Sequence, residues 1–304
     1  MMKCQVCDEN AIISSAVGAY CVAHFEENFE KRVLDTIKKY GLFRDGETVA
    51  VANSGGKDSL SLLYILSKPF SDRNKLVSIT IDEGIEGYRD RTIETMKEYC
   101  ASFGVEYKIY SYKDFFGKTM DKITRIKRGI PCATCGTLRR YLINYAAADV
   151  NADKVATAHN LDDEAESVLM NLLQNDIDKL LRLGPVSGVV KTEGFVPRVK
   201  PFMFVSEKET MLFSVIKGIN AVHTPCFYAG FGFRGVVSRK IKELESSRAG
   251  SKAHMVSRMM SMKAKYRKKY FGRSIGKCAQ CGSPSSGTVC DACSIKNELT
   301  ATAV

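Results

Sequence analysis

The 304-residue sequence has no uninterrupted apolar run of about 18 residues, the length that a membrane-spanning helix needs. Its start, MMKCQVCDEN, also lacks the apolar stretch of a secretory signal peptide. These two absences argue against a membrane partner and against secretion, so we expect a soluble protein of the cytoplasm. Hydrophobic residues make up 45% of the chain, which is enough for one good core with small appendages.

Acidic residues are scarce in one segment, which runs from Arg234 to Arg273 and which we call the basic segment. It contains 13 Lys or Arg against 2 Asp or Glu, so its net charge of +11 equals that of the whole chain. Tyr266, Tyr270 and Phe271 are interleaved with these cations. A basic run is commonly a solvated face. One that holds the whole charge excess beside aromatic rings is more typical of a nucleic-acid contact.

The sequence has eleven cysteines, and disulfides are rare in intracellular proteins. The spacing of these cysteines is instead typical of metal-binding sites. A first group near the start, Cys4-x2-Cys7 followed by Cys21-x2-His24, offers four ligands for tetrahedral zinc. A second group near the end has the pattern of a four-cysteine zinc ribbon, formed by Cys278, Cys281, Cys290 and Cys293. Both segments are too short for a core, so two structural Zn²⁺ ions would supply their folding free energy.

The middle of the chain contains cysteines without a second x2 pair. Cys132 and Cys135 lie in GIPCATCGTLRR, and Cys226 follows a proline in VHTPCFYAGF. Cys100 ends an amphipathic helix pattern and is expected in the core. The other three thiolates can hold an iron–sulfur cluster with one iron open to a further ligand, or they can form a redox or persulfide-carrying set. Spacing alone does not separate these two alternatives.

Short apolar runs alternate with helical patterns along most of the chain. A buried strand is predicted at residues 48–53, and further strands at residues 76–81, 106–110 and 154–159. Helices are predicted at residues 25–43, 58–66, 89–103, 137–148 and 162–174. This alternation predicts an α/β fold with a doubly wound parallel sheet and small zinc-binding modules at both ends. Ligands of such sheets lie beyond the carboxyl ends of the strands, here at Ser54–Lys57, Asp82–Gly84 and Ala158–Asp163.

The first of these strand ends carries the motif SGGKDS, residues 54–59, between a buried strand and a helix. Its two glycines allow a sharp turn and a close approach to a ligand. Consecutive backbone N–H groups and the helix N-terminus form an anion cradle, to which the serines add hydroxyls and Lys57 adds a positive charge. The motif therefore predicts a phosphate site, in which Asp58 either caps the helix or holds Mg²⁺.

The motif resembles the PP-loop of the N-type ATP pyrophosphatases, α/β enzymes that grip the pyrophosphate end of ATP and transfer AMP to a substrate oxygen. The motifs of this chain also occur in the order found in the tRNA 2-thiouridine synthetases, which include the archaeal and eukaryotic cytoplasmic tRNA 2-thiolation proteins. Besides the loop and the two zinc groups, they are PCATCG at 131–136, HNLDDEAES at 159–167 and TPC at 224–226. Together they cover nearly the whole chain.

The resemblance assigns a role in nucleotide binding to ten residues. The ATP phosphates would be bound by the loop itself, Ser54, Gly55, Gly56, Lys57, Asp58 and Ser59. The remaining contacts would come from the backbones of Ala52 and Ile81, from Arg139, and from Ala158 beneath the nucleotide. Relatives often carry glycine at the position of Ala158, so a close backbone contact is less favoured there.

The resemblance also implies catalytic and metal-binding residues. Lys57, Asp58 and Asp163 would be catalytic, with Asp163 positioning Mg²⁺ and Asp162 as its substitute. The alternative interpretation is that Asp162 and Asp163 are ordinary acidic residues at a helix N-terminus, where the helix dipole favours them. A [4Fe–4S] cluster would be held by the three mid-chain cysteines, Cys132, Cys135 and Cys226.

The implied reaction is the conversion of a tRNA uridine to 2-thiouridine. ATP would adenylate the C2 oxygen, and sulfur held at the open iron would then replace it. A persulfide on Cys132 or Cys226 without a cluster is the alternative. The resemblance favours wobble position 34, with position 54 of the T-loop as the alternative. A thiocarboxylated ubiquitin-like carrier or free sulfide would deliver the sulfur to a homodimeric enzyme.

The motifs divide the chain into four parts: a zinc knuckle at 1–30, a PP-loop catalytic domain at 31–233, an RNA-binding basic segment at 234–273 and a zinc ribbon at 274–304. Two other functions explain less of the sequence. A PP-loop amide ligase acting on a small molecule accounts for SGGKDS but not for the cysteines or the basic segment. A non-catalytic zinc-ribbon RNA-binding protein leaves the loop unexplained.

Overall fold

The computed structural model describes residues 2–68, 70, 72–127, 129–187, 194–222, 226–229, 232–270 and 276–301. The chain opens with a small module in which strands β1 (Ile13–Ser15) and β2 (Gly18–Tyr20) form an antiparallel hairpin. Helix α1 (Val22–Tyr40) follows and ends at Gly41, whose φ of 55° is the left-handed conformation that commonly stops helices. Because α1 is continuous across residue 30, the first zinc module and the core share this helix.

A six-stranded sheet forms the centre of the fold. Its strands are β3 (Thr48–Ala52), β4 (Lys75–Asp82), β5 (Glu106–Ser111), β6 (Lys154–Ala156), β7 (Val186–Ser187) and β8 (Arg198–Val199). In the order β5-β4-β3-β6-β8-β7, every neighbouring pair is parallel except β7 with β8. The predicted parallel sheet is therefore confirmed. The direction in which strands are added to the sheet reverses at β3. The chain first adds β4 and β5 on one side of β3, and then adds β6 on the other side.

Helices connect the strands and cover both faces of the sheet. They are α2 (Lys57–Ser67), α3 (Arg89–Ser102), α4 (Tyr112–Phe116), α5 (Met120–Ile126), α6 (Pro131–Asp149), α7 (Leu161–Leu173), α8 (Ile177–Arg182) and α9 (Glu207–Ile216). The helix predicted from residue 137 begins six residues earlier, at Pro131, because proline is well suited to the first helical position. The strand predicted to residue 159 ends at Ala156.

The alternation of side chains along β3 explains why the fold has two apolar layers. Val49 and Val51 pack into a cluster with Leu63 of α2, whereas Ala50 packs into a cluster with Leu138 of α6. Successive residues of a strand point to opposite faces, so β3 is buried on both sides and reads as a continuous apolar run.

The carboxyl-terminal part begins with two helices that pack on α7, α10 (Phe233–Ser247) and α11 (Ser251–Tyr270). The hairpin of β9 (Gly276–Lys277) and β10 (Pro284–Ser285) follows, and α12 (Asp291–Ala301) packs on α6. Residues 271–273 of the basic segment lie outside the described residues. None of the described helices is both long enough and apolar enough to cross a bilayer.

Candidate active site

The SGGKDS loop lies between β3 and α2, at the point where the strand order reverses. Gly55 has a φ of 76°, and a Cβ at this position would lie 1.9 Å from the carbonyl oxygen of Thr92, so only glycine fits. The Ser59 hydroxyl accepts a hydrogen bond from Ser54 N at 3.2 Å and donates one to Gly56 O at 2.9 Å. Helix α2 begins directly after the glycines, so its unpaired N–H groups belong to this loop.

Lys57 supplies the positive charge of the loop and is held by two carboxylates. Its Nζ lies 2.8 Å from Asp58 Oδ2 and 3.6 Å from Glu207 Oε1. Burial opposes the charge, but the two carboxylates outweigh it and raise the pKa of Lys57, so the side chain is a cation at neutral pH. Asp58 also accepts a hydrogen bond of 2.5 Å from the hydroxyl of Thr210 on α9.

Asp163 lies in the first turn of α7, where it has a structural role. It forms a capping box with Asn160, in which each side chain accepts a hydrogen bond from the other residue's backbone N–H. Arg234 of α10 lies 3.2 Å from its Oδ1. Burial raises the pKa of Asp163, Arg234 opposes the change, and the nearby acids Asp58 and Glu207 add to it.

Asp162, the predicted substitute, is engaged in structural contacts. It is buried, with Lys252 Nζ 2.6 Å from its Oδ1 and the backbone N–H of Glu207 2.9 Å from its Oδ2. The residue thus joins α7 to α9 and α11. Because Asp162 is buried whereas the side chain of Asp163 is 34% exposed, Asp163 is the better placed of the two acids for a role at the loop.

Arg89 fixes the loop from the side of α3. Its Nη1 donates a hydrogen bond of 2.9 Å to Ser54 O, and its Nη2 donates one of 2.5 Å to Ile81 O. The guanidinium is almost completely buried. Its Nε forms an ion pair with Glu83, at 2.8 Å from Oε2, but the two atoms are not aligned for a hydrogen bond. The predicted contact of Ile81 with the nucleotide would have to use other backbone atoms.

The mid-chain cysteines lie on two elements near the loop. Cys132 and Cys135 belong to the first turns of α6, and the thiol of Cys132 donates to Tyr228 O at 3.2 Å. Cys226 precedes Tyr228 by two residues. Burial raises the pKa of the Cys226 thiol, and the charges of Cys135 and Cys132 act in the same direction. The three sulfurs therefore lie close enough to interact electrostatically.

The donor set at this site fits a [4Fe–4S] cluster. Among the described residues, only the two terminal groups bring three ligand atoms within 4.8 Å of one another, so the mid-chain thiols do not converge on one ion. In a cluster each thiolate binds a different iron, and three thiolates leave one iron open. The wider arrangement and the count of three therefore suit a cluster better than zinc.

Arg139 connects the cysteine site to a buried acid. Its Nη2 donates to Cys135 Sγ at 3.3 Å, and its Nε lies 2.7 Å from Glu83 Oε1. The ion pair with Glu83 raises the pKa of Arg139, so the guanidinium is always charged. The predicted contact of Arg139 with the phosphates stays a prediction.

Both terminal groups have the geometry of structural zinc sites. Tetrahedral coordination with Zn–S bonds of about 2.3 Å places two sulfurs about 3.8 Å apart. Cys7 and Cys21 sulfurs are 3.8 Å apart, and the Nδ1 atom of His24 lies 3.2 Å from Cys21 Sγ. In the ribbon, Cys281 and Cys290 sulfurs are 3.7 Å apart. The predicted ligand sets thus meet at both ends.

Two groups of cations in the described part of the basic segment differ in their contacts. One group makes internal contacts: Arg234 pairs with Asp163 and Glu166, and Lys252 pairs with Asp162. The other group is exposed and has no ion pair in the described part of the chain; it comprises Arg239, Arg248, Arg258 and Lys265. The first group holds α10 and α11 against α7. The second group is exposed on the surface, where its side chains can contact a polyanion.

Sequence reasoning overlooked two residues that organise the site. Glu83 lies inside the strand end Asp82–Gly84, where polar side chains gather, so its position was a usable signal. Arg89 begins a predicted helix and gives no signal in sequence, because its role depends on contacts with Ser54, Ile81 and Glu83 that arise only in the fold.

Comparison with known proteins agrees with this site. The PP-loop domain matches residues 25–218. The cytoplasmic tRNA 2-thiolation protein 1 of Danio rerio is 34% identical over 96% of this chain and 87% of its own length. The tRNA 2-thiolation protein NcsA of Haloferax volcanii is 32% identical over 99% of this chain and all of its own length.

A solved structure extends the agreement to three dimensions. The U34-tRNA thiolase NcsA from Methanococcus maripaludis, determined with its [4Fe–4S] cluster, superposes with a TM-score of 0.84 at 32% identity and covers 98% of this chain and 97% of that one. These matches include the two ends of the chain as well as the central domain. The chain therefore belongs to the family of the tRNA 2-thiolation proteins, which is built on the PP-loop domain.

Proposed function

We infer that this protein is an ATP-dependent tRNA-uridine 2-thiolase that acts at wobble position 34 in the cytoplasm. The observation that carries this inference is the placement of two sites at one edge of the sheet. A loop built for phosphates follows β3, and three cysteines lie beside it, joined to it through Glu83 and two arginines. An enzyme that activates an oxygen with ATP and replaces it with sulfur needs both sites together.

The first step would be adenylation of the uridine. The C2 oxygen of the base attacks the α-phosphate of ATP, and pyrophosphate leaves. We propose that the backbone N–H groups of Gly55 and Gly56, the hydroxyls of Ser54 and Ser59 and the charge of Lys57 stabilise the departing pyrophosphate. Hydrosulfide would then attack C2, and the C2 oxygen, a poor leaving group in uridine, would leave as part of AMP.

Asp58 and Asp163 would hold Mg²⁺ against the phosphates. Magnesium in nucleotide sites is typically bound by one or two carboxylates and by phosphate oxygens. The raised pKa of Asp163 would return toward its ordinary range when the metal binds, because a cation favours the carboxylate.

Cys132, Cys135 and Cys226 would hold the [4Fe–4S] cluster. When bound, the cluster supplies an iron with an open coordination position for sulfur. Arg139 orients the Cys135 thiolate through the hydrogen bond to its sulfur. A persulfide on Cys132 or Cys226 in a cluster-free protein is the second candidate, and it is favoured by the exposure of Cys132.

The exposed arginines of α10 and α11 would bind tRNA phosphates, and the target base would leave its stack to reach the loop.

Two zinc ions would stabilise the terminal modules, and metal analysis of the purified chain should therefore give two Zn²⁺ per chain. We further propose that the active form is a homodimer, and that a thiocarboxylated ubiquitin-like carrier or free sulfide provides the sulfur.

Reconstitution with defined transcripts tests this function. The purified protein, loaded with iron and sulfide under anaerobic conditions, is incubated with ATP, Mg²⁺, sulfide and a tRNA transcript. We expect pyrophosphate release and 2-thiouridine with a transcript carrying U34, and neither with a matched transcript carrying C34. Thiolation that persists with C34 but is lost when U54 is replaced would move the target to the T-loop. ATP turnover with a small carboxylic acid and an amine, but not with tRNA, would support the amide ligase.

A further inference from the structure

Glu83 is a buried carboxylate between the two halves of the proposed active site. It lies immediately after β4, is 4% exposed, and is fixed through its own carbonyl oxygen, which accepts a hydrogen bond of 2.7 Å from Met120 N. Gly84 makes the turn behind it with a φ of 65°, where a Cβ would lie 2.6 Å from Thr119 Cγ2. The backbone therefore holds this carboxylate rigidly.

Each oxygen of Glu83 faces a different arginine. Oε2 lies 2.8 Å from Arg89, which donates to the carbonyl oxygen of Ser54 in the phosphate loop. Oε1 lies 2.7 Å from Arg139, which donates to the sulfur of Cys135. A single carboxylate thus joins the two sites by direct contacts, with one guanidinium in each direction.

We propose that Glu83 is a positioning residue that couples the nucleotide loop to the cysteine site. A nucleotide bound at the loop then changes how tightly the cysteine site holds its iron. The proposal rests on the proposed function, because it takes the two sites to bind ATP and a cluster. A buried carboxylate disfavours the loss of either ion pair, since one of its oxygens would then be out of water without a partner. A shift of the loop is therefore carried by Arg89 and Glu83 to Arg139 and its sulfur.

Coupling of this kind is reciprocal and can be measured without any thiolation. The full-length protein is loaded with iron and sulfide, and a chelator then removes the iron while the visible absorbance of the cluster is followed. We expect saturating α,β-methylene ATP, which resists cleavage at the α-phosphate, to change the rate of iron loss by about fivefold or more. By linkage, the loaded cluster should change the affinity for the analogue.

The Glu83→Gln variant keeps the size of the side chain and removes its charge. We expect it to bring the ratio of the two rates, with and without analogue, close to one. Glu86→Gln is the matched control, because Glu86 lies in the same loop and has an exposed side chain, and only its backbone N–H bonds to Asp121. The control should keep the wild-type ratio.

Arg139→Gln interrupts the path from the side of the cysteine site. It removes the contacts with Glu83 and Cys135 and leaves the contacts of Arg89 with Ser54 intact, so we expect the rate ratio to approach one at an analogue concentration that saturates this variant. If Glu83→Gln fails to fold, this variant alone decides. A wild-type ratio retained in folded Glu83→Gln or in Arg139→Gln contradicts the proposal, as does a wild-type protein whose ratio is one or that holds no iron.

The failure of the proposed function is a different result. A wild-type protein that shows the coupling but forms no 2-thiouridine refutes the thiolase and leaves the coupling intact. A wild-type protein that thiolates tRNA, with a rate ratio that Glu83→Gln does not alter, keeps the thiolase and refutes the coupling.

Discussion

Single side chains set the charge around the phosphate loop, and Lys57 is the clearest case. It is the only cation within the loop motif, and its two carboxylate partners keep it protonated. When ATP and Mg²⁺ bind, the metal would neutralise Asp58, and Lys57 would turn to the phosphates.

Replacement of Lys57 tests this account at the residue scale. We expect Lys57→Ala to lower tRNA-dependent pyrophosphate release by about 10²- to 10³-fold, the usual effect of removing one group that stabilises charge in a transition state. Lys208→Ala is the control, because Lys208 is exposed and lies beside the site without contacting it in the described structure. Equal losses in the two variants would argue against a direct role.

Asp149 provides a prediction about pH and stability. A hydrogen bond from Tyr110 and the contact with Lys108 lower the pKa of Asp149 below its ordinary value of 3.8. A lowered carboxyl pKa stabilises the fold above the unfolded-state value, and this contribution is lost as the pH falls through the folded-state value. Because the side chain is 41% exposed, we expect less than about 1 kcal/mol.

Thermal unfolding of wild type and Asp149→Asn over a range of pH measures this contribution. The variant should be slightly less stable near neutral pH, and the difference should disappear in acid. A difference that stays constant down to about pH 2 would show that the lowered pKa of Asp149 does not contribute.

Residues whose roles follow from local spacing were predictable from the sequence. The four ligands of the ribbon and the loop motif are of this kind, since Cys-x2-Cys and SGGKDS each lie within a few positions. The role of Arg89 was not predictable, and for Glu83 only the position at a strand end was, because the partners of both residues are distant in the chain and each contact depends on how β3, β4 and α6 pack.

At the scale of elements, the turn from β3 into α2 decides whether the loop can form. The two adjacent glycines differ in their environment. Gly55 has a positive φ and faces the carbonyl of Thr92, whereas a Cβ on Gly56 would meet only Ser54 Oγ, at 3.4 Å. The same motif therefore contains one position that requires glycine and one that tolerates a small side chain.

Alanine at each glycine tests this difference. We expect Gly55→Ala to distort the loop, to abolish binding of ATP measured by calorimetry, and to lower the melting temperature. Gly56→Ala should fold normally and lose no more than about tenfold in affinity, since its cost is a close approach rather than a clash. Similar behaviour of the two variants would contradict the loop geometry.

Helices and strands were predicted well where their patterns were long. The strands β3, β4 and β5 have five to eight residues, and their ends were predicted to within about two residues. β7 and β8 have two residues each and were missed, because such a short segment has no periodicity. Their pairing is imposed by the tertiary fold.

At the scale of the whole molecule, the separation of the basic residues into internal and exposed groups defines a surface for tRNA. Arg239, Arg248 and Arg258 are exposed on α10 and α11 or between them. The same two helices pack on α7, which carries Asp163 in its first turn. A polyanion bound to the arginines would therefore lie on the helices next to the proposed active site.

Neutralising these three arginines together tests the surface. We expect the triple glutamine variant to bind tRNA more weakly and to reduce the slope of log affinity against log salt by about three, one for each phosphate that the protein no longer neutralises. A triple glutamine variant at Lys31, Lys38 and Lys39, which are exposed on α1, is the control with the same reduction in charge. An equal change of slope in both variants would mean that the effect is one of net charge.

The central claim is that the protein converts U34 of tRNA to 2-thiouridine, and mass spectrometry of tRNA from cells with and without its gene tests that claim most directly. Nucleosides and mapped oligonucleotide fragments should lose 2-thiouridine at position 34, and a gene copy encoding Lys57→Ala should not restore it although wild type does. Unchanged 2-thiouridine at position 34 in cells that lack the gene would contradict the account.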